Sequence, residues 1–258
     1  MAVSFSVKKV EFMKGKRYEL LDTIRGIVLI SMIIYHASWN FVYIYGMDWP
    51  WYRSRGAYIW QQSICWTFIL LSGFCFSLGK RHLKSGFMVF GSGLVVTVVT
   101  LLVMPSNRVV FGVLTCIGSC ILLVAFLENI WKKIPSEAGL FMTFLFFLFT
   151  KNINRGYLGF GSFRIMEIPR SWYQNYMTTY LGFPFQGFYS TDYFSLFPWL
   201  FLFLTGFYMY GFFSKYHMTE KAFMDKTISV FSFLGRHSLL IYLLHQPVIY
   251  CLQELVWG

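Results

Sequence analysis

The chain has 258 residues, of which 57% are hydrophobic and 13% are charged. Soluble domains carry about 25% charged residues, so this composition excludes a soluble globular protein and indicates a polytopic membrane protein. The formal net charge is +11, but the basic residues stand in short clusters between apolar segments, which is typical of membrane topology signals and not of a nucleic-acid surface. We expect an all-α transmembrane helix bundle in the cell (plasma) membrane, with lipid but no nucleic acid as a partner.

Apolar segments of about 20 residues are long enough to cross a bilayer as helices. The sequence predicts seven such spans, at 22–44, 57–79, 86–104, 111–130, 138–151, 193–213 and 232–256. Roughly twenty fairly polar residues precede the first span, which is itself too long for the apolar part of a cleavable signal peptide. The whole chain, 1–258, is therefore predicted to form one membrane domain.

The distribution of Lys and Arg predicts the orientation of the spans. Thirteen basic residues lie in the N-terminal tail and the second, fourth and sixth connections, and seven lie on the opposite side. Because cytoplasmic loops carry the excess of basic residues, we expect the tail 1–19 in the cytoplasm and the C-terminus outside. A re-entrant segment near 178–190 would change the number of membrane crossings and so the predicted side of the C-terminus.

The extracytoplasmic connection 151–192 is rich in glycine and aromatic residues and is unusually long for a plain linker. Such a loop beside a membrane cavity fits a lid or a substrate platform. An aromatic belt at the membrane interface explains the same composition, and the two interpretations remain open.

The cysteines all lie within or at the ends of apolar segments. They are Cys65, Cys75, Cys116, Cys120 and Cys251. Cys116 and Cys120 are four residues apart on a helix face, but neither a histidine nor a second cysteine pair completes a metal set. We expect packed free thiols and no metal.

The first predicted span carries polar side chains on one face. Eleven residues separate Arg25 from His36, and at about 100° per residue they bring the helix back to nearly the same angle; Asn40 continues the stripe. Asp22 and Thr23 fit a helix cap, with an ion pair from Asp22 to Arg25, or a functional group. Because histidine is costly in hydrocarbon and titrates near neutrality, His36 is either a general base or proton relay, or a satisfied packing residue.

The last predicted span carries a second polar stripe. Ser238, Tyr242 and His245 share a face at offsets of four and three residues. Pro247 removes a backbone hydrogen bond nearby, and the carbonyl that it frees can line a cavity. His245 is a candidate second catalytic or cofactor-contacting group, and a structural hydrogen bond to a neighbouring helix is the alternative.

The segment Asp22-Thr-Ile-Arg25-Gly26, followed by His36, resembles the first helix of the transmembrane acyltransferases. This group includes the acyltransferase-3 proteins and the relatives of heparan-α-glucosaminide N-acetyltransferase. Two further stretches, WTFILLSGFCFSLGKRH and LGRHSLLIYLLHQPV, are similar to helices of the second branch, through bacterial proteins of uncharacterised domain type 1624.

A fourth stretch, Tyr193-Phe-Ser-Leu-Phe-Pro198-Trp199, resembles the pattern Asp-Tyr-x-Pro-Leu-x-Pro-Trp of that branch. Asp192 stands at the acidic position, and Ser195 replaces the usual proline. The chain also has Thr115 where some relatives carry a polar ring or an amide.

The resemblance implies transfer of an acyl group, usually acetyl, from cytoplasmic acyl-CoA to a sugar amine or hydroxyl on the far side of the membrane. His36 would take the proton of the attacking acceptor, and His245 would be a second catalytic group. Donor contacts are expected at Arg25, Lys80, Arg81, Lys84, Arg236, Ser238 and Tyr242. Acceptor contacts are expected at Trp39, Asn40, Asp192 and Trp199. The implied partners are acetyl-CoA, a glycan or amino-sugar acceptor and a second copy of the chain in a homodimer.

A proton-coupled transporter or flippase for a small polar or lipid-linked solute is the alternative, with His36 and His245 as relay sites. Cavity geometry separates the two hypotheses. An acyltransferase requires a continuous tunnel from the cytoplasmic basic cluster to His36, whereas a transporter requires a central site with alternating gates.

Overall fold

The computed structural model describes residues 17–257. It is 73% helical, which confirms the predicted all-α class. The helices are α1 (Glu19–Tyr43), α2 (Arg55–Phe76), α3 (His82–Val103), α4 (Val113–Phe126), α5 (Glu128–Trp131), α6 (Ser136–Thr150), α7 (Tyr176–Leu181), α8 (Leu196–Lys215), α9 (Ser229–Arg236) and α10 (Ser238–Trp257). Residues 1–16 of the predicted cytoplasmic tail lie outside the described residues.

Within the described range, five helices are long and apolar enough to cross a membrane, namely α1, α2, α3, α8 and α10. Helices α4 and α6 occupy the predicted fourth and fifth spans but have only 14 and 15 residues, fewer than the roughly 20 that a bilayer requires. The fourth span was predicted too long because the chain leaves α4 at Leu127 and forms the one-turn helix α5.

The predicted seventh span, 232–256, is wrong as a single helix. The chain breaks at His237 and forms the short helix α9 followed by α10. In α9, Ser232 and Gly235 are buried, whereas Val230 and Phe233 are exposed. The predicted span placed the polar stretch Gly235-Arg236-His237-Ser238 inside one helix, because apolar residues flank it on both sides.

The predicted cap at Asp22 and Thr23 is also wrong. Helix α1 already begins at Glu19, behind Tyr18, whose side chain makes no capping hydrogen bond. Asp22 therefore lies one turn inside the helix, and Thr23 Oγ1 accepts a hydrogen bond of 3.2 Å from the Ile228 amide. Asp22 in turn accepts hydrogen bonds from Arg17 and Arg25, so neither side chain caps the helix.

Helix α8 is the most deeply buried of the five long helices and packs against α2, α4 and α6. Its side chains Leu202, Phe203 and Leu204 are at most 1% exposed. Helices α3 and α4 pair closely with each other, and α3 otherwise has a mostly exposed apolar surface. The bundle therefore has a solid core around α8, and the helices that surround the cavity described below lie to one side of it.

The first helix and the C-terminal helices form a second tightly packed unit. Gly26 of α1 and Gly235 of α9 lie where the two backbones meet: a Cβ atom on either would stand 1.9 Å from a carbonyl oxygen, that of Phe231 or of Asp22. At the other end, Asn40 Nδ2 donates to Gln253 Oε1 of α10 over 2.8 Å. Small residues at helix crossings allow such close approach in membrane proteins.

The connection 151–192 contains an antiparallel β-hairpin, β1 (Tyr157–Phe160) and β2 (Phe163–Glu167), and the six-residue helix α7. The two-residue turn of the hairpin contains Gly161 at a positive φ of 59°, which glycine adopts without a side-chain clash. The connection is thus an ordered structure of its own and not a simple linker.

We predict that Gly235→Ala destabilises the protein by about 1–3 kcal/mol, because the added methyl group overlaps the Asp22 carbonyl oxygen and forces α9 away from α1. Thermal unfolding in detergent measures the effect. The matched control is Gly91→Ala in α3, where a Cβ atom meets nothing within 4 Å and helix propensity favours alanine by about 1 kcal/mol. Equal melting temperatures for the two variants would contradict the prediction.

Candidate active site

A cavity of about 310 Å³ lies between α1, α2, α3, α4 and α10. Most of its wall is apolar, as is usual for sites that bind small molecules. Its polar lining side chains are Arg25, Tyr35, His36, Gln61, Cys65, Ser72, Cys75, His82, Ser85, Asp192, Ser238 and Tyr242. Of the thirteen residues proposed from sequence for the site and its donor end, the lining includes Arg25, His36, Asp192, Ser238 and Tyr242.

The cavity is elongated along the helix axes. Arg25 and His36 both line it, and eleven residues of α1 separate them, or about 16 Å at 1.5 Å per residue. Because neighbouring helices alternate in direction, Cys75 of α2 lies at the Arg25 end of the cavity and Gln61 at the His36 end. One cavity thus has two chemically different ends.

The Arg25 end is a network of charges around one carboxylate. Arg25 Nη1 donates to Asp22 over 3.3 Å, and its Nη2 donates to Cys75 Sγ over 3.1 Å. Arg17 Nε donates to the same Asp22 over 2.6 Å, and Arg236 Nε lies 3.9 Å away. Three arginines around one buried carboxylate keep this end positively charged, and the two hydrogen bonds of Arg25 fix its guanidinium at the cavity wall.

The other basic residues predicted to contact the donor are not in the cavity wall; they are Lys80, Arg81, Lys84 and Arg236. Arg236 Nη2 is paired with Glu19 over 2.6 and 2.7 Å. Arg81 and Lys84 are exposed at the start of α3, and their chain neighbours His82 and Ser85 line the cavity instead. The His82 ring stacks on Phe76 with ring centroids 4.0 Å apart.

At the other end, the ring of His36 has a defined orientation. Its Nδ1 lies 3.0 Å from the Met32 carbonyl oxygen, one turn earlier in α1. A carbonyl can only accept, so Nδ1 carries the hydrogen and Nε2 holds a lone pair. His36 therefore presents an unprotonated nitrogen in the form that a general base requires.

His245 is not among the residues that line the cavity, but its ring lies next to that of His36. The two ring centroids are 4.8 Å apart, and His245 is 8% exposed. Its Nδ1 donates to the Tyr242 carbonyl, again one turn earlier in its helix, and its buried Nε2 has no hydrogen-bond partner among the described residues. The structure thus brings together the two histidines that were predicted from separate spans.

Asp192 closes the same end of the cavity from a loop. Its Oδ2 accepts from the amide of Val113, the first residue of α4, over 3.1 Å, and Tyr242 makes a side-chain hydrogen bond with the same carboxyl group. Gly112 permits this approach, since a Cβ atom there would lie 2.9 Å from Asp192 Oδ2. Burial raises the pKa of Asp192 to about 6, although the hydrogen bonds from Val113 and Tyr242 oppose this rise.

Three of the predicted acceptor contacts lie away from the cavity wall. The Trp39 ring packs against Tyr43 with centroids 5.3 Å apart. Asn40 is 1% exposed and binds Gln253 between α1 and α10. Trp199 is 7% exposed in the core around α8, with its ring 5.0 Å from that of Phe194.

Several lining residues were missed although the sequence contains a signal for them. Gln61, Cys65, Phe68, Ser72 and Cys75 of α2 all line the cavity, and their spacing of three or four residues marks one helix face. Residue type alone does not mark this face as functional, because glutamine and serine are common at helix contacts in membrane proteins.

Comparison with known proteins gives one significant similarity. Residues 17–247 match the family model described as heparan-alpha-glucosaminide N-acetyltransferase, catalytic. No curated protein and no solved structure gives a significant match to the chain.

The raised pKa of Asp192 predicts a pH dependence of stability. Because the folded-state pKa of about 6 exceeds the ordinary value of 3.8, the carboxyl group favours the fold while it is protonated, and this contribution is lost as the pH rises from about 4 through 6. A difference of about two pKa units corresponds to at most about 3 kcal/mol.

Thermal unfolding between pH 4 and 7 tests this prediction. The wild type should lose stability relative to Asp192→Asn over that interval, and the exposed loop variant Asp225→Asn is the control. If the difference in melting temperature between wild type and Asp192→Asn stays constant over this pH range, the prediction is wrong.

Proposed function

The chain belongs to the heparan-alpha-glucosaminide N-acetyltransferase catalytic family, and we propose that it transfers an acetyl group from cytoplasmic acetyl-CoA to an amine or hydroxyl of a sugar on the far side of the cell membrane. In this proposal the N-terminus and the Arg25 end of the cavity face the cytoplasm. His36 and Asp192 face the acceptor. The observation that carries the proposal is that one cavity is lined by both Arg25 and His36.

The charges at the Arg25 end support binding of the donor. CoA carries three phosphates, which bind well to guanidinium and ammonium groups. Lys80, Arg81 and Lys84 stand beside the lining residues His82 and Ser85. These cations would hold the phosphates outside the apolar part of the cavity.

The length and the apolar wall of the cavity support entry of the pantetheine arm. The distance of about 16 Å along α1 from Arg25 to His36 suits an extended thin chain that carries the thioester inward. Apolar side chains of α4, including Val113, Ile117 and Ile121, form one wall along this path. The phosphates stay at the charged end while the acetyl group reaches His36.

The His36 end supports activation of the acceptor. The Nε2 lone pair of His36 takes the proton of the acceptor amine or hydroxyl while its nitrogen or oxygen attacks the thioester carbonyl. The C–S bond then breaks, and the proton passes to the CoA sulfur, so that CoA leaves as the thiol. The Asp192 carboxylate would bind the acceptor and orient it for attack.

The geometry supports an acyltransferase over the transporter hypothesis for a physical reason. The cation-rich end and the end with neutral imidazoles differ in chemistry, as expected for two substrates that enter from opposite sides. A transporter would present one site alternately to both sides.

We expect His36→Gln to lower acetyl transfer about 10²–10⁴-fold, because glutamine cannot take up the proton. Purified protein, labelled acetyl-CoA and candidate amino sugars provide the assay, and binding of acetyl-CoA should stay within about threefold of wild type. The control is His217→Gln, at an exposed histidine paired with Glu220 in a loop. Wild-type transfer by His36→Gln would exclude His36 as the base, and solute flux by wild type without acetyl-CoA binding or hydrolysis would refute the proposed function.

We expect Lys84→Glu to raise the KM for acetyl-CoA about tenfold at low salt with little change in kcat, because the substitution replaces an attraction for phosphate by a repulsion. The effect should shrink at 0.5 M salt through screening. Lys133→Glu is the matched control, since it makes the same charge change at an exposed position on the same predicted side, before α6. An equal rise in KM in both variants would indicate a general effect of net charge and would contradict a donor site at α3.

A further inference from the structure

The His36–His245 pair has two nitrogen atoms that can accept a proton, whereas a general base needs only one. Each ring donates its Nδ1 hydrogen to a main-chain carbonyl one turn earlier, of Met32 or Tyr242. Each Nε2 atom is therefore a lone-pair acceptor. Only 8% of the His245 surface is exposed, and its Nε2 atom has no hydrogen-bond partner among the described residues.

Two neutral bases this close bind one proton much more readily than two. The ring centroids are 4.8 Å apart. At this distance, in a buried site with a low dielectric constant, a positive charge on the second ring would strongly repel the charge on the first. Such groups titrate as a pair. When His36 is protonated, its Nε2 becomes a donor, and the neighbouring ring offers an unpartnered acceptor, the buried Nε2 of His245.

We infer that His245 is a positioning residue that shares the proton of His36 during acyl transfer; this inference rests on the proposed function. The acceptor O–H or N–H bond breaks and an Nε2–H bond forms on His36. The Nε2–H group donates a hydrogen bond to His245 until the thioester C–S bond breaks. The proton then moves to the departing sulfur, and both histidines return to the neutral state.

The surroundings give this pair a defined set of neighbours. Tyr35 lies beside His36 in α1 with ring centroids 6.0 Å apart, and Tyr242 lies beside His245 in α10 at 5.2 Å. Asp192 from the loop reaches Tyr242, and Cys65 of α2 lines the same cavity. Asp192 is the acidic side chain among these neighbours, and its carboxylate would offset the positive charge of the protonated pair.

The packing of α1 against α9 and α10 holds the two rings in place. The glycine contact at Gly26 and Gly235 fixes one end, and the Asn40–Gln253 hydrogen bond fixes the other. Because His36 and His245 lie between these two anchors, their separation is set by the backbone and not by the rings themselves.

The experiment measures kcat for acetyl transfer against pH in wild type, His245→Phe and His245→Gln. Phenylalanine fills the space but cannot accept, so we expect kcat to fall at least about tenfold and the acidic limb of the profile to move about one unit to lower pH. Glutamine keeps an acceptor oxygen and should restore the position of the limb. The KM for acetyl-CoA should stay unchanged, and His237→Gln, an exposed histidine at the α9–α10 junction, should behave as wild type.

A second measurement does not depend on activity. In ¹⁵N-histidine-labelled protein, the signals of His36 and His245 should change together in one step of proton uptake, whereas in His245→Phe the His36 signal changes alone at lower pH. If wild type transfers acetyl groups but His245→Phe has the same pH profile of kcat, the inference is overturned and the proposed function stands. The same holds if His36 and His245 titrate independently in an active wild type. Coupled titration in a protein that transfers no acetyl group would support the pair and overturn the proposed function.

Discussion

The contact between α1 and α9 determines the geometry of the whole site. Gly26 and Gly235 bring the two backbones so close that a carbonyl oxygen occupies the place of a missing Cβ atom on each side. Helix α1 carries Arg25 and His36, and α10 follows α9 after a single residue. A shift at this crossing would therefore move both ends of the cavity and the two histidine rings relative to each other.

The same crossing explains why so many charges collect at one end. Glu19 of α1 accepts from Ser232 over 2.5 Å and pairs with Arg236, both in α9. Asp22, next along the same helix face, is shared by Arg17 and Arg25. Pairing with the arginines offsets part of the desolvation cost of these carboxylates, and the side chains of Arg17, Arg25 and Arg236 stay 58%, 20% and 41% exposed.

The helices and the polar stripe on α1 could be predicted from sequence because both depend on periodic patterns. Arg25 and His36 do line one cavity, as the spacing of eleven residues predicted. The break between α9 and α10 was not predicted, because apolar residues flank the polar stretch 235–238 on both sides. In the structure α9 packs against α1, which is far away in sequence.

The predictions for Asn40 and Trp199 show the same limit from the other side. Asn40 follows the His36 stripe and Trp199 ends the Tyr193–Trp199 motif, so both were expected at the site. In the structure Asn40 binds Gln253 and Trp199 packs in the core around α8, and neither lines the cavity. Asp192, by contrast, lines the cavity because a long loop returns to the start of α4. Whether a polar residue faces a cavity or a neighbouring helix depends on tertiary contacts that a single sequence does not contain.

Neutral histidines are an economical way to place a base deep in a membrane protein. A charged base at this depth would need a counter-ion or water to offset its desolvation, whereas an imidazole needs only one acceptor for its Nδ1 hydrogen. The main-chain carbonyls of Met32 and Tyr242 provide that acceptor for His36 and His245 without any further side chain. Because a carbonyl one turn back also fixes the ring and the tautomer, the bond that makes each histidine tolerable in the bundle also leaves its Nε2 free for chemistry. The hydrogen bond that offsets burial of each ring therefore also leaves its Nε2 atom unprotonated, as the proposed general base requires.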